Sequence, residues 1–100
     1  MYDIRLTNQA KKDAKLVEVA GYKNKAIEII KTVCINPYDE SQGFEMLKHD
    51  LKGAYSRRIN RHHRFVYEVL PNDLNLKDNS GKLYDGIVKV LSMWTHYHKK

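Results

Sequence analysis

The stretch between residues 52 and 64 concentrates positive charge on what reads as a folded segment. It contains two histidines, no carboxylate and five cationic side chains: Lys52, Arg57, Arg58, Arg61 and Arg64. Apolar and aromatic residues flank it, as they do in strands. A guanidinium group can grip a phosphate through paired hydrogen bonds. A cationic cluster on paired strands therefore indicates a polyanionic partner, most commonly a nucleic acid, whereas scattered cations would indicate only a solvated surface.

The segment predicts a β-hairpin whose register depends on its loop. A three-residue loop at 60–62 would place Arg58 opposite Arg64, whereas a two-residue loop would place Arg57 opposite Val66 and diagonal to Arg64. In either register Arg64 lies near another arginine on one face of the sheet. Such cations repel one another unless an anion lies between them. The alternative is that the long side chains extend into water or pair with nearby carboxylates.

Three further side chains could complete a site for acid–base chemistry. Glu45 lies on the strand predicted before the hairpin, and a carboxylate beside an arginine-rich face can act as a general base. His96 and Tyr97 directly follow the predicted last strand. A histidine exchanges a proton near neutral pH, and a tyrosine can stack on a base or donate a hydrogen bond. The alternatives are a solvent-facing glutamate and a frayed, functionally silent C-terminal segment.

The residue types predict no metal site and no cofactor. The histidines and Cys34 show no recognised ligand spacing, and the sequence has neither a glycine-rich phosphate loop nor a G-x-S-x-G motif. A single cysteine favours a reducing compartment, and no apolar run approaches the length of a membrane span. We therefore expect a soluble, cytoplasmic protein.

The hydrophobic pattern predicts an α+β fold in one domain that covers residues 1–100. The predicted elements in chain order are a strand at 2–7, helices at 8–20 and 22–34, strands at 44–51, 54–60 and 63–70, a long exposed loop at 71–86 and a buried strand at 87–94. This order is typical of two N-terminal helices packed on one face of a small, mainly antiparallel sheet. The net charge of +6 lies entirely in the second half, because residues 1–50 carry 8 Lys/Arg and 8 Asp/Glu, whereas residues 51–100 carry 10 and 4. The free face of the sheet would present these cations.

The stretch NPYDESQGFEMLKHDLKGAYSRRINRHHRFVYEVL, with the closing His96-Tyr97, resembles the YoeB/Txe branch of the RelE-type toxins. The matching residues are Asn36-Pro37-Tyr38, Glu45, Leu47-Lys48, Leu51-x-Gly53, Tyr55-Ser56-Arg57-Arg58-Ile59 and His63-Arg64-x-Val66-Tyr67. The run from Tyr55 to Tyr67 is the most specific part. The resemblance covers nearly the whole chain, and the predicted order of helices and strands agrees with it.

The resemblance implies an endoribonuclease that cleaves mRNA in the ribosomal decoding site without a metal. By position, Glu45 matches the general base, Arg64 the phosphate-stabilising arginine, His96 the general acid and Tyr97 the adjacent terminal aromatic. Supporting contacts to the RNA are expected from Lys48, Arg57, Arg58 and Arg61. The resemblance also implies a cognate antitoxin of the YefM type. Some relatives pair as dimers within the toxin–antitoxin complex, so a homodimer there is a further expectation.

Two alternatives remain open from the sequence. A ParE-like, gyrase-blocking toxin would share the fold but would not need the combination of Glu45, Arg64 and His96. A non-catalytic basic protein that binds RNA or the ribosome would explain the charge, but it would give Glu45 and His96 no catalytic role. The loop at 71–86 is longer than this family leads us to expect.

Overall fold

The computed structural model describes residues 1–94, which form one five-stranded sheet with two helices on one of its faces. The elements are β1 (Tyr2–Leu6), α1 (Asn8–Val19), α2 (Lys23–Ile35), β2 (Glu45–Met46), a single 3₁₀ turn (His49–Leu51), β3 (Ala54–Arg58), β4 (Arg64–Leu70) and β5 (Gly86–Ser92). The strand order is β1-β5-β4-β3-β2, and every pair is antiparallel except β1 with β5. The predicted α+β class is confirmed.

Both helices bury one apolar stripe against the sheet. Thr7 caps α1, where its Oγ1 accepts a hydrogen bond from the backbone N–H of Ala10 at 3.1 Å. In α2, Ala26, Ile29 and Val33 recur at helical spacing and are buried. They join Phe65, Tyr67, Val88 and Val90 of the sheet in one core. The helices lie mainly over β1 and β5, so they leave the β2–β3 side of the sheet to be covered by other segments.

The hairpin of β3 and β4 adopts the first of the two predicted registers. Arg58 lies opposite Arg64, and Ser56 lies opposite Val66. Residues 60–62 form the loop, since the backbone N–H of Ile59 donates to the carbonyl of His63 at 3.0 Å. The alternative register, with Arg57 opposite Val66, is wrong.

The strand predicted at 44–51 is shorter in the structure. Only Glu45 and Met46 pair with β3, and the chain then turns through His49, which has a φ of 58°. This turn is needed because the chain must reverse direction within a few residues to enter β3 antiparallel to β2.

The loop predicted at 71–86 ends one residue earlier, because β5 begins at Gly86; residues 71–85 contain no helix and no strand of the main sheet, but their backbone is ordered by local hydrogen bonds. The Asn72 side-chain amide donates to the carbonyls of Leu76 and Tyr84 at 2.9 and 3.1 Å. A single β-bridge joins Lys77 to Leu83. No helix in the described part of the chain is both long and apolar enough to span a bilayer.

Candidate active site on the open face of the sheet

Alternation along the strands brings the predicted base and the predicted phosphate-binding arginine to one surface. Glu45 of β2 lies opposite Ser56 of β3, and Arg58 of β3 lies opposite Arg64 of β4. Opposed residues, and residues two apart, share a face. Phe65 of β4 points into the helix-covered core, so Glu45, Ser56, Arg58 and Arg64 occupy the opposite face. We call this surface the open face.

The Arg64 guanidinium is held by three acceptors on the open face. Its Nη2 lies 2.9 Å from Glu45 Oε1 and donates to the carbonyl of Gly43 at 2.5 Å, and its Nε donates to Ser56 Oγ at 2.8 Å. The Arg64 side chain is 20% exposed, whereas the Glu45 side chain is 63% exposed. The arrangement therefore pairs a fixed cation with a carboxylate that solvent and ligands can reach.

The loop between α2 and β2 positions Gly43 and the adjoining Glu45 beside the Arg64 guanidinium. Gln42 and Gly43 have φ values of 59° and 67°, a conformation that glycine adopts at little cost. The Gln42 carbonyl accepts a hydrogen bond from the backbone N–H of Arg58 at 2.8 Å. A Cβ at position 43 would lie 3.2 Å from the Arg58 Cβ. The loop thus continues the sheet alongside β3 and packs closely against it.

Arg57 does not belong to the open face, and the prediction that it contacts RNA is wrong. Its side chain is fully buried. The guanidinium donates to the carbonyls of Pro37, Asp39 and Ser41 at 3.1, 2.6 and 3.0 Å, and its Nε donates to the Tyr67 hydroxyl at 3.0 Å. Alternation gives the reason: Arg57 lies between two residues that point to the open face, so it must point the other way.

The buried guanidinium shapes the electrostatics of its surroundings. It lies 5.0 Å from the centroid of the Phe44 ring, a cation–π distance. Burial raises the pKa of Tyr67, and the hydrogen bond from Arg57 opposes that rise. The pKa of Asp39 is lowered chiefly by hydrogen bonds from Ser41, with a smaller contribution from the charge of Arg57. Arg57 therefore stabilises the loop that leads to Glu45.

The other predicted RNA contacts are on the surface. Lys48, Arg58 and Arg61 are exposed, and within residues 1–94 none of their side chains forms an ion pair. A groove of about 510 Å³ at the β2–β3 edge of the sheet is lined in part by Met46, Lys48 and Tyr55, and Glu45 does not line it. The alternative was that nearby carboxylates pair with the hairpin cations. Within residues 1–94 Arg64 forms such a pair, with Glu45, whereas Arg58 and Arg61 form none. Their contact with RNA stays a prediction.

His96 and Tyr97 lie outside the described residues, but the segment that leads to them is anchored by a residue the sequence reasoning missed. Asp13 of α1 is fully buried, and its Oδ2 accepts hydrogen bonds from the backbone N–H groups of Met93 and Trp94 at 2.9 and 3.3 Å. The Trp94 indole also stacks on the His63 imidazole, with ring centroids 3.7 Å apart. A carboxylate at position 13, on the buried stripe of Ala10 and Val17, was the signal that could have identified Asp13.

Comparison with known proteins adds the family. Residues 7–97 match the family model described as the YoeB-like toxin of bacterial type II toxin–antitoxin systems. A toxin YoeB from Synechocystis is 44% identical over 46 residues, which are 46% of this chain and 54% of that protein. The aligned part of the chain thus spans about half the length of the curated relatives it matches.

Solved structures share the whole fold. A YoeB/ParE toxin from Agrobacterium tumefaciens superposes with a TM-score of 0.73 and 26% identity, over 95% of this chain and 99% of that chain. A chain of a YoeB–YefM complex from Staphylococcus aureus gives a TM-score of 0.69 and 29% identity, over 97% and 99%. Since the family model covers most of the sequence and the same fold recurs in these structures, the chain belongs to the YoeB-like toxins of bacterial type II toxin–antitoxin systems.

Proposed function

We propose that this toxin is a ribosome-dependent endoribonuclease that inhibits translation by cleaving mRNA in the decoding site, without a metal ion. The observation that carries the proposal is the pair of Glu45 and Arg64 on the open face, 2.9 Å apart. A base and a phosphate-binding cation that lie side by side can act on one phosphodiester once the substrate phosphate has taken the place of the carboxylate at the guanidinium. Membership of a toxin family makes an activity that harms the host cell the expected one.

The proposed reaction uses the 2′-hydroxyl of the RNA as the nucleophile. The Glu45 carboxylate takes the proton from this hydroxyl, and the 2′-oxygen attacks the adjacent phosphorus. The bond from phosphorus to the 5′-oxygen of the next nucleotide breaks as the leaving oxygen takes a proton from the general acid. The products are a 2′,3′-cyclic phosphate and a free 5′-hydroxyl, so no cofactor is required.

Arg64 stabilises the charge that develops on the phosphorane. Among the described residues, Nη1 of its guanidinium makes no hydrogen bond, so two N–H groups remain for the phosphate oxygens. An incoming phosphate replaces Glu45 beside the guanidinium. The carboxylate is then free to accept the proton of the 2′-hydroxyl.

The resemblance assigns the remaining roles. His96 serves as the general acid that protonates the leaving 5′-oxygen, and Tyr97 stacks on a base or donates a hydrogen bond nearby. Lys48, Arg58 and Arg61 bind neighbouring phosphates of the mRNA or of the ribosome. The ribosome holds the mRNA in place, which explains how a shallow open face suffices for a substrate of this size.

The proposed protein partner is an antitoxin of the YefM type, which neutralises the toxin until it is released. The likeness to the toxin chain of the Staphylococcus aureus YoeB–YefM complex supports this partner. A homodimer of the toxin within that assembly is part of the same proposal.

The test uses purified ribosomes programmed with a defined mRNA. We would add the wild-type protein or its Glu45→Gln variant and map the RNA ends by primer extension and mass spectrometry. Cleavage within the decoding-site codon, a cyclic-phosphate end and loss of cleavage in the variant are expected. Ribosome binding without cleavage by the wild type would favour the non-catalytic binder. Neither binding nor cleavage would favour the gyrase-directed alternative.

A further inference from the structure

Stabilisation of a phosphorane depends on where the Arg64 guanidinium sits before the substrate arrives. Arginine has a long side chain with about 2 kcal/mol of rotamer entropy, and a cation that must be ordered during the reaction stabilises the transition state less. The Arg64 side chain is only 20% exposed, so its conformation is set by its neighbours. Its three acceptors are Glu45, Gly43 and Ser56, and only Glu45 must leave the guanidinium during the proposed reaction.

Two of the three acceptors engage the same nitrogen. Nη2 contacts both Glu45 Oε1 and the Gly43 carbonyl, whereas within residues 1–94 Nε hydrogen-bonds only to Ser56 Oγ. The proposed reaction takes Glu45 away from Arg64, because the carboxylate must then bind the 2′-hydroxyl. During the reaction the guanidinium is held by Gly43 through Nη2 and by Ser56 through Nε. These two contacts fix its plane and leave Nη1 without a hydrogen-bond partner among residues 1–94.

Ser56 is suited to this purpose by its position in the sheet. It lies between Glu45 on β2 and Val66 on β4, and it is fully buried. A buried hydroxyl on a central part of a strand has one stable position, in contrast to an acceptor on a mobile surface side chain. Its small side chain also leaves room for Arg64 to extend across the neighbouring strand.

We propose that Ser56 is a positioning residue of the active site, which holds Arg64 through Nε so that Nη1 meets the scissile phosphate. This inference rests on the proposed ribonuclease function and deepens it. Ser56 does not touch the substrate. Its contribution is made through Arg64, so its removal should slow the chemical step and leave binding of the ribosome unchanged.

The test compares three serine variants in single-turnover cleavage of mRNA on programmed ribosomes. Ser56→Ala removes the acceptor, and Ser56→Cys replaces it with a weak acceptor of similar size. We expect each to lower the maximal cleavage rate about tenfold or more, with an unchanged toxin concentration for half-maximal rate. Ser92→Ala is the matched control, because Ser92 pairs with Val66 from the β5 side and makes no hydrogen bond with Arg64 in the described structure. It should cleave at the wild-type rate.

A second measurement reports the contact without any cleavage. The Nε–H of Arg64 gives a side-chain signal in ¹H–¹⁵N NMR spectra, which is assigned by its absence from Arg64→Lys. We expect slow hydrogen exchange of this signal in the wild type and in Ser92→Ala, and exchange about tenfold faster or more in Ser56→Ala. Backbone signals distant from position 56 should stay in place, which separates this loss from unfolding.

The outcomes distinguish a failure of the positioning role of Ser56 from a failure of the proposed ribonuclease function. If wild-type protein cleaves no mRNA, the proposed function is wrong and the inference falls with it. If the wild type cleaves and either folded Ser56 variant keeps the wild-type rate, the function stands and the positioning role is overturned. A freely exchanging Arg64 Nε–H in the wild type would also overturn it.

Discussion

Replacing Arg57 with methionine tests whether this buried arginine holds the loop that leads to Glu45 in the candidate active site. Methionine keeps much of the aliphatic volume but removes every N–H donor. The carbonyls of Pro37, Asp39 and Ser41 would lose donors that now lie 3.1, 2.6 and 3.0 Å away. The bond to the Pro37 carbonyl is buried, and leaving that acceptor unpaired costs about 1–3 kcal/mol; the bonds to the Asp39 and Ser41 carbonyls are part-buried, so their loss costs less, and removing a buried charge offsets part of the sum. We expect a net loss of about 3 kcal/mol in the free energy of unfolding.

Urea unfolding monitored by circular dichroism measures this loss, and thermal unfolding gives a second reading. For a domain of this size, a loss of about 3 kcal/mol lowers Tm by roughly 12–24 °C. Arg58→Met is the matched control, because it makes the same change at the next residue, whose exposed side chain forms no hydrogen bond within residues 1–94. Its stability should change by no more than about 0.5 kcal/mol. If both variants unfold at the same urea concentration, the reasoning from the hydrogen bonds of Arg57 is refuted.

Three further predictions concern other contacts. Asp13→Ala removes the acceptor for the backbone N–H groups at the end of β5, so urea unfolding should show a loss of about 2–3 kcal/mol, whereas an unchanged stability would mean that Asp13 is dispensable as an anchor. Gly43→Ala places a Cβ 3.2 Å from the Arg58 Cβ at a φ of 67°, and should cost about 1–2 kcal/mol and slow mRNA cleavage; wild-type values for both would contradict the strain argument. The pKa of Asp78 is lowered from 3.8, chiefly by a hydrogen bond from the Ser80 side chain. The ionised carboxylate therefore stabilises the folded state at pH values above 3.8, and this stabilisation is lost as the pH falls through the lowered pKa of the folded state. A stability profile in which Asp78→Asn follows the wild type across the acid range would contradict that assignment.

The candidate site could be predicted from the sequence where strand periodicity decides the answer. Once Glu45 lies beside the hairpin, alternation places it on one face with Ser56 and Arg64. The register of the hairpin was not decided in this way, because two loop lengths fit the same residues. The hydrogen bond between Ile59 and His63 selects the longer loop.

The error at Arg57 has a physical cause. A long cationic side chain on a strand is expected to extend into water or to pair with a nearby carboxylate, and Arg57 does neither. Its partners are instead backbone carbonyls at positions 37, 39 and 41, and one of the bonds spans 20 positions of the chain. A backbone carbonyl is present at every residue, so no residue type reveals where such acceptors converge. Asp13 differs, because its place on the apolar stripe of α1 marks it as buried, and only its partners, the backbone N–H groups of Met93 and Trp94, could not be read from residue types.

The placement of β5 also bears on how the toxin forms during its synthesis. β5 lies between β1 and β4, and its first residue, Gly86, pairs with Tyr2. Neither β1 nor the hairpin can join the finished sheet until β5 has been made, so the fold depends on contacts between distant parts of the chain. A nascent chain that has not reached residue 92 would leave unpaired the edges of β1 and β4 that β5 joins in the finished sheet. The complete fold, and with it the proposed ribonuclease activity, is therefore expected only after β5 has emerged from the ribosome.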